Sequence, residues 1–235
     1  MSTIEMRSEI GLSPLFLRED VEGVVFDLDG TLIDSAADIL GGIREAFLTA
    51  GFGQVPDDYF PDNLHGTSDG IMRDIMRDMG WPVPDDLSEI KAVYYDVYAR
   101  RGHASTRLYP DVQTLLQVCR DTLPEVPMAI CTNKVHRNAI AVTQILGITP
   151  YFSVISGADS WGQAKPSPVP LLETIREMGV SPEKCLYFGD TSVDAECAER
   201  AGVRFVLHES GYGDPALEGM SRFHAFRQWR ELLST

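Results

Sequence analysis

Basic residues are scarce in this chain of 235: 20 Lys and Arg stand against 35 Asp and Glu, a formal net charge of −15 at pH 7. Nucleic acid needs a basic face along its phosphates, so it is not expected as a partner. An acidic surface also gives no long-range attraction to an anionic metabolite. A ligand carrying phosphate must therefore be held locally, by a metal ion, a lysine and backbone amides. Long apolar runs are missing as well. No stretch approaches the roughly 20 residues of a membrane span, so no membrane association is expected. Residues 1–20 mix charge throughout, which does not fit a signal peptide and predicts a loose tail without a role. The four cysteines, Cys119, Cys131, Cys185 and Cys197, form no Cys-x-x-Cys pair. Their use as small buried hydrophobes in a reducing compartment predicts a cytoplasmic protein. The five histidines form no His-x-x-x-His pair, which argues against a zinc hydrolase.

What is present is a chain that can fold. Hydrophobic residues make up 44% of it, enough for a core. Short apolar runs of the kind buried on both faces of a sheet occur at 22–29, 128–132, 152–156, 185–189 and 204–207. Helical patterns separate the later runs and stop at Gly147, Gly179 and Gly202. The alternation predicts an α/β fold, a doubly wound parallel sheet of Rossmann-like type. Residues 36–107 break it. They hold three successive helical stripes, among them Ile71, Met72, Ile75 and Met76, and Leu87, Ile90, Tyr94 and Tyr98. These stripes are read as packing faces of a helical cap domain spanning 36–107. The cap is inserted into an α/β core of residues 1–35 and 108–235.

In an open parallel sheet the ligand site lies at the carboxyl ends of the strands. The first run ends in Asp27-Leu28-Asp29-Gly30-Thr31. Two carboxylates that close repel unless a cation or a shared proton separates them. A catalytic pair would use both escapes, one carboxylate binding metal and attacking, the other acting as acid and base. An ordinary Asp/Gly turn explains the same residues. The second run ends in Thr132-Asn133-Lys134, whose hydroxyl and amides can meet phosphoryl oxygens but also suit a polar turn. Lys165-Pro166 follows the third run, and Gly189-Asp190-Thr191-Ser192-Val193-Asp194 closes the fourth. Asp190 and Asp194 lie one helical turn apart. They fit ligands for a hard cation such as Mg²⁺, while Thr191 with Asp194 also fits a capping box. Each signal is ambiguous alone; four in order at four successive strand ends are not.

The set resembles the haloacid dehalogenase superfamily, and within it the branch of phosphoglycolate phosphatases and sugar-phosphate relatives. The stretch from Phe26 to Ser35 is similar to that family's first motif over its whole length. Thr132-Asn133-Lys134 resembles the second motif, Lys165-Pro166 the third, and Gly189-Asp190 with Asp194 the fourth. The resemblance implies a Mg²⁺-dependent phosphatase acting on a small phosphorylated metabolite. Asp27 would be the nucleophile and Asp29 the general acid and base. Mg²⁺ would be held by Asp27, Asp190 and the main-chain carbonyl of Asp29, with Asp194 a direct or water-linked ligand. Thr132, Asn133 and Lys165 would meet the phosphoryl group. Phosphoglycolate is the substrate the resemblance favours. A sugar phosphomutase is the alternative, and Thr31 and Thr67-Ser68 weigh against it, where such enzymes tend to carry Val and Ser-Arg. A non-catalytic binding protein would have lost motif residues, and none is lost. Specificity is expected in the cap loop 64–70, through His65 and Ser68, since the core motifs can recognise only a phosphoryl group.

Overall fold

The computed structural model describes residues 10–62, 64 and 66–234. In chain order the strands are β1 (Gly11–Leu12), β2 (Gly23–Phe26), β3 (Ile33–Asp34), β4 (Arg107–Leu108), β5 (Met128–Cys131), β6 (Val154–Ser156), β7 (Cys185–Gly189), β8 (Arg204–His208), β9 (His224–Phe226) and β10 (Leu233–Ser234). The α-helices are α1 (Ala36–Thr49), α2 (Ser68–Asp78), α3 (Ser88–Arg101), α4 (Val112–Thr122), α5 (His136–Ile145), α6 (Val169–Met178) and α7 (Ser192–Ala201). Six strands form one parallel sheet in the order β6-β5-β2-β7-β8-β9. The chain starts in the middle of this sheet, winds out to one edge, then returns to wind out to the other. That reversal leaves a crevice between β2 and β7 at their carboxyl ends, the usual ligand position in such a sheet.

Alternation along each strand explains why the runs contain so few polar residues. Val24 and Phe26 of β2, with Leu186 and Phe188 of β7, join one apolar cluster with Leu115 and Leu116 of α4 and Val142 of α5. Val25, Tyr187 and Phe205 face the other way and join Leu171 and Ile175 of α6 with Ala195 and Ala198 of α7. Both faces are thus covered, as a parallel sheet requires. The helical stripes of α1, α2 and α3 form a third, separate cluster that includes Ile43, Phe47, Met72, Met76, Tyr94 and Tyr98.

Three features depart from the expectations above. Residues 10–20 are not loose: β1 pairs with β10, and Phe16 is buried and stacked on Phe188 at 5.6 Å between ring centroids. A sixth strand, β9, extends the sheet beyond the five apolar runs. Helix α4 fills the stretch before β5, and its Val112, Leu115, Leu116 and Cys119 carry a helical spacing that marks it.

Candidate functional site

Asp27 follows the last residue of β2, and its N–H donates to the Phe188 carbonyl of β7 at 2.7 Å. A tight turn comes next. The Leu28 carbonyl accepts from the N–H groups of Thr31, Leu32 and Ile33. His208 Nδ1 lies 2.9 Å from the Gly30 carbonyl, and the Trp229 indole donates to the Thr31 carbonyl at 3.2 Å. Gly30 is required here twice over. Its φ is +82°, and a Cβ would lie 2.1 Å from an Asp190 carboxylate oxygen. Gly211 approaches the same carboxylate from the other side, where a Cβ would come within 2.3 Å of the Asp190 Cβ.

Asp190 follows β7 and is wholly buried. Its Oδ1 accepts from the Thr31 hydroxyl at 2.8 Å and its Oδ2 from the Tyr212 N–H at 2.8 Å. Asp194, in the first turn of α7, uses both oxygens as well. Oδ1 accepts from Lys165 Nζ at 2.6 Å and the Tyr187 hydroxyl at 2.7 Å; Oδ2 accepts from the Thr191 hydroxyl at 2.7 Å and the Thr191 N–H at 3.2 Å. A carboxylate has about four lone-pair directions, and these donors fill them.

Lys165 Nζ also donates to Asp27 Oδ1 at 2.7 Å and to the Tyr187 hydroxyl at 2.8 Å. Asn133 fixes its backbone: Asn133 Nδ2 donates to the Lys165 carbonyl at 3.1 Å, and the Lys165 N–H donates to Asn133 Oδ1 at 2.9 Å. The Asn133 side chain is thus turned to placing Lys165, although the residue still lines the cavity. The Thr132 hydroxyl accepts from the Lys134 N–H at 3.2 Å, which leaves its own proton for another acceptor.

Asp29 stands slightly apart. Its carboxylate accepts from the Ser35 hydroxyl and, at 2.8 Å on each oxygen, from Lys134 Nζ. Ser35 is held in turn by the Tyr212 hydroxyl, which accepts from the Ser35 N–H at 2.9 Å. Asp27, Asp29, Thr132, Asn133 and Lys134 line one cavity of about 50 Å³, closed on its far side by Ile39, Gly66, Ser68, Ile71, Tyr94 and Tyr95. Ser68 hydrogen-bonds the Tyr95 hydroxyl at 2.8 Å, and Thr67 caps α2 through the Gly70 N–H at 3.4 Å. His65 lies outside the described residues. Lys134, Ser35, Tyr187, Tyr212 and Thr31 are the site residues that sequence reasoning did not single out. Lys134, Thr31 and Ser35 stood inside the motifs; Tyr187 and Tyr212 gave no local signal.

The electrostatics are those of excess buried negative charge. One oxygen from each of Asp27, Asp190 and Asp194 lies within 4.8 Å of the others. Burial pushes Asp27 up to about 7, with Lys165 pulling it down and Asp194 and Asp29 adding to the rise. Burial, then Asp194 and Asp27, also push Asp190 well above the ordinary carboxylate range. Burial would raise Asp194 too, but Lys165 and the hydrogen bonds from Thr191 and Tyr187 hold it low. Burial opposes the Lys134 charge, and Asp29 more than offsets it, so the amine is held well above its ordinary range. Among the described residues, one buried ammonium, that of Lys165, is in contact with this aspartate cluster. A set of hard oxygen donors with surplus negative charge fits a divalent cation such as Mg²⁺.

Comparison with known proteins gives the family. The family model of the haloacid dehalogenase-like hydrolases matches residues 24–208. The phosphoglycolate phosphatase of Aquifex aeolicus is 33% identical over 190 residues, covering 80% of this chain and 85% of that protein. That of Rhodobacter capsulatus is 32% identical over 208 residues, covering 86% and 92%. A crystal structure from Haemophilus somnus, described as a predicted phosphoglycolate phosphatase, shares the fold with a TM-score of 0.80 at 23% identity, over 90% of this chain and 96% of that one. A haloacid dehalogenase-like family hydrolase from Streptococcus pneumoniae does so with a TM-score of 0.74 at 24% identity, over 91% and 97%.

Proposed function

The chain belongs to the haloacid dehalogenase-like hydrolases, and from that premise we propose that it is a Mg²⁺-dependent phosphatase of small phosphate monoesters, phosphoglycolate first among them, working through an aspartyl-phosphate on Asp27. The observation that carries this reading is the pairing of two carboxylates at one cavity, each with its own lysine: Asp27 with Lys165 and Asp29 with Lys134. Two unlike tasks need two such carboxylates.

In this mechanism the phosphoryl group enters against Asp27. Its oxygens take the Thr132 hydroxyl and the Lys165 ammonium, which neutralises charge as it develops. An Asp27 oxygen forms the bond to phosphorus while the ester bond breaks, and Asp29 gives its proton to the departing oxygen. Asp29, now anionic, takes a proton from water as that water attacks the aspartyl-phosphate. Inorganic phosphate leaves, and both aspartates return to their starting states. Asp27, Asp190 and the Asp29 main-chain carbonyl would hold the Mg²⁺, which supplies further neutralisation of phosphoryl charge when bound. Asp194 is read as a positioning residue that reaches the metal only through water, because Lys165, Tyr187 and Thr191 occupy its oxygens. The α1–α3 layer acts as a cap over residues 36–107, closing a space suited to a small leaving group and keeping bulk water from the acyl phosphate. Four buried, unpaired cysteines suit the reducing cytoplasm.

The test is phosphate release from a panel of small phosphate esters with Mg²⁺ and with EDTA, alongside rapid quench with ³²P-labelled phosphoglycolate. Wild-type protein should show metal-dependent release and acid-stable label on the chain. Asp27→Asn should show neither. Normal labelling of Asp27→Asn, or full turnover after thorough metal removal, would sink the mechanism.

A further inference from the structure

Lys134 is a buried cation to which the mechanism above gives no task beyond pairing with Asp29. Its side chain is 6% exposed, its Nζ sits 2.8 Å from both Asp29 oxygens, and it stands 5.2 Å from the centre of the Tyr98 ring. Anchoring Asp29 is not enough to explain it. Ser35 already binds Asp29 Oδ1 and is itself braced by Tyr212. A lysine that served only to hold Asp29 would also need no access to the cavity, yet Lys134 is part of the cavity wall. An ammonium has three donors; Asp29 uses two of them, and the third is turned to the space that the Tyr98 and Tyr94 side chains share with the cavity.

The position of Asp29 limits what the third donor can meet. To protonate the departing ester oxygen, Asp29 must touch it. The Lys134 ammonium touches Asp29, so it stands close to that oxygen and on the leaving-group side of the phosphorus. In an ester whose carboxylate is one carbon from the ester oxygen, the carboxylate oxygens lie only about 3 Å from that oxygen, three bonds away. One ammonium can then contact Asp29 and such a carboxylate together. A longer skeleton carries its carboxylate past Lys134. The charge balance points the same way. The attacking Asp27 carboxylate and the phosphoryl group already bring negative charge to this space, so a leaving group with its own negative charge is repelled unless a cation meets it.

We propose that Lys134 determines specificity by binding the leaving-group carboxylate of a 2-phosphooxy carboxylate substrate. The proposal rests on the reading of Asp27 and Asp29 given under Proposed function and adds the group that discriminates among esters. It also moves part of the discrimination from the cap to the core, onto the residue directly after the Thr132-Asn133 pair.

The experiment compares kcat/KM for 2-phosphoglycolate and for ethyl phosphate, its counterpart without the carboxylate, at saturating Mg²⁺. Lys134→Met should lose about 10- to 100-fold more on phosphoglycolate than on ethyl phosphate, the size of one charge-assisted hydrogen bond, and chiefly through KM. Lys134→Arg should recover part of that difference. Product inhibition gives a second measurement in the wild type: glycolate should inhibit far more strongly than ethanol at equal concentration. Equal losses on both esters in a Lys134→Met protein with wild-type circular dichroism would reduce Lys134 to a brace for Asp29 and overturn the proposal. So would glycolate inhibiting no better than ethanol, which decides the matter even where Lys134→Met does not fold. Failure of the underlying reading would look different, as Asp27→Asn turning over both esters normally.

Discussion

Replacing Lys165 by methionine should destabilise the metal-free protein strongly, whereas replacing Asp27 by asparagine should leave it as stable or make it more so. Lys165 is the only cation in direct contact with the three clustered aspartates among the described residues, and its Nζ makes bonds of 2.7, 2.8 and 2.6 Å to Asp27, Tyr187 and Asp194. Methionine keeps the volume and removes the charge. Asp194 then stays buried and anionic with only hydroxyl and amide donors. Breaking one side of a buried pair in this way costs about 3–5 kcal/mol. For a chain of this size that corresponds to a fall in Tm of roughly 6–20 °C. Asparagine at 27 works in the opposite direction, because it removes one of the mutually repelling carboxylates and still accepts from Lys165. The two sites touch, so they should couple: in the Asp27→Asn background, Lys165→Met should cost less by about 1 kcal/mol or more. The assay is thermal and urea denaturation in EDTA at pH 8 for wild type, both single variants and the double variant. A Lys165→Met midpoint within about 3 °C of wild type, well under the ~6 °C lower bound, would refute the charge argument. An Asp27→Asn loss as large as that of Lys165→Met would do the same.

Two further expectations concern pH and the metal. Asp27 is pushed up to about 7, so between about pH 4 and 7 the folded chain keeps a proton that the unfolded chain has released. The folded state then binds more protons, and in EDTA its contribution to stability falls as pH rises through that window. Urea midpoints at pH 5 and pH 8 should show this loss in the wild type and a smaller one in Asp27→Asn; identical slopes would rule Asp27 out as its source. Thr31→Val keeps shape but removes the hydroxyl that donates to Asp190 Oδ1. The Mg²⁺ concentration for half-maximal activity should rise about tenfold, as for other groups that orient a metal ligand, and an unchanged Mg²⁺ titration would mean that Asp190 needs no such support.

The sheet was legible because a strand buried on both faces has to be apolar throughout, and each of the five apolar runs coincides with a strand of the parallel sheet to within a few residues. Asp27, Thr132, Lys165 and Asp190 were legible because they follow such runs directly, where a parallel sheet keeps its ligands. Partnerships across the chain were not. Asp29 and Lys134 are 105 positions apart, and Thr31 and Asp190 are 159 apart. No local pattern joins them. Tyr187 reads as one more hydrophobic residue inside β7; only the packed sheet reveals that its hydroxyl reaches Lys165 and Asp194. β9 escaped because three residues, His224 to Phe226, are too few to show a period. The Met and Tyr stripes of α2 and α3 were read as packing faces, and Met72, Met76 and Tyr98 are buried in the helical cluster. Tyr94 does both jobs, since it belongs to that cluster and also lines the cavity.

The short ribbon of β3 and β4 has an architectural consequence. Ile33 pairs with Leu108 and Asp34 with Arg107, so the chain leaves the sheet layer and comes back to it at one point. Everything between is a closed excursion whose two ends are already stitched together. The sheet therefore has no stake in the length or the content of that excursion; it needs only the stitch. A change of helices there leaves the register of every sheet strand untouched, and Asp27, Thr132, Lys165 and Asp190 with it. The groups at the strand ends can then stay where they are while the helices above them change.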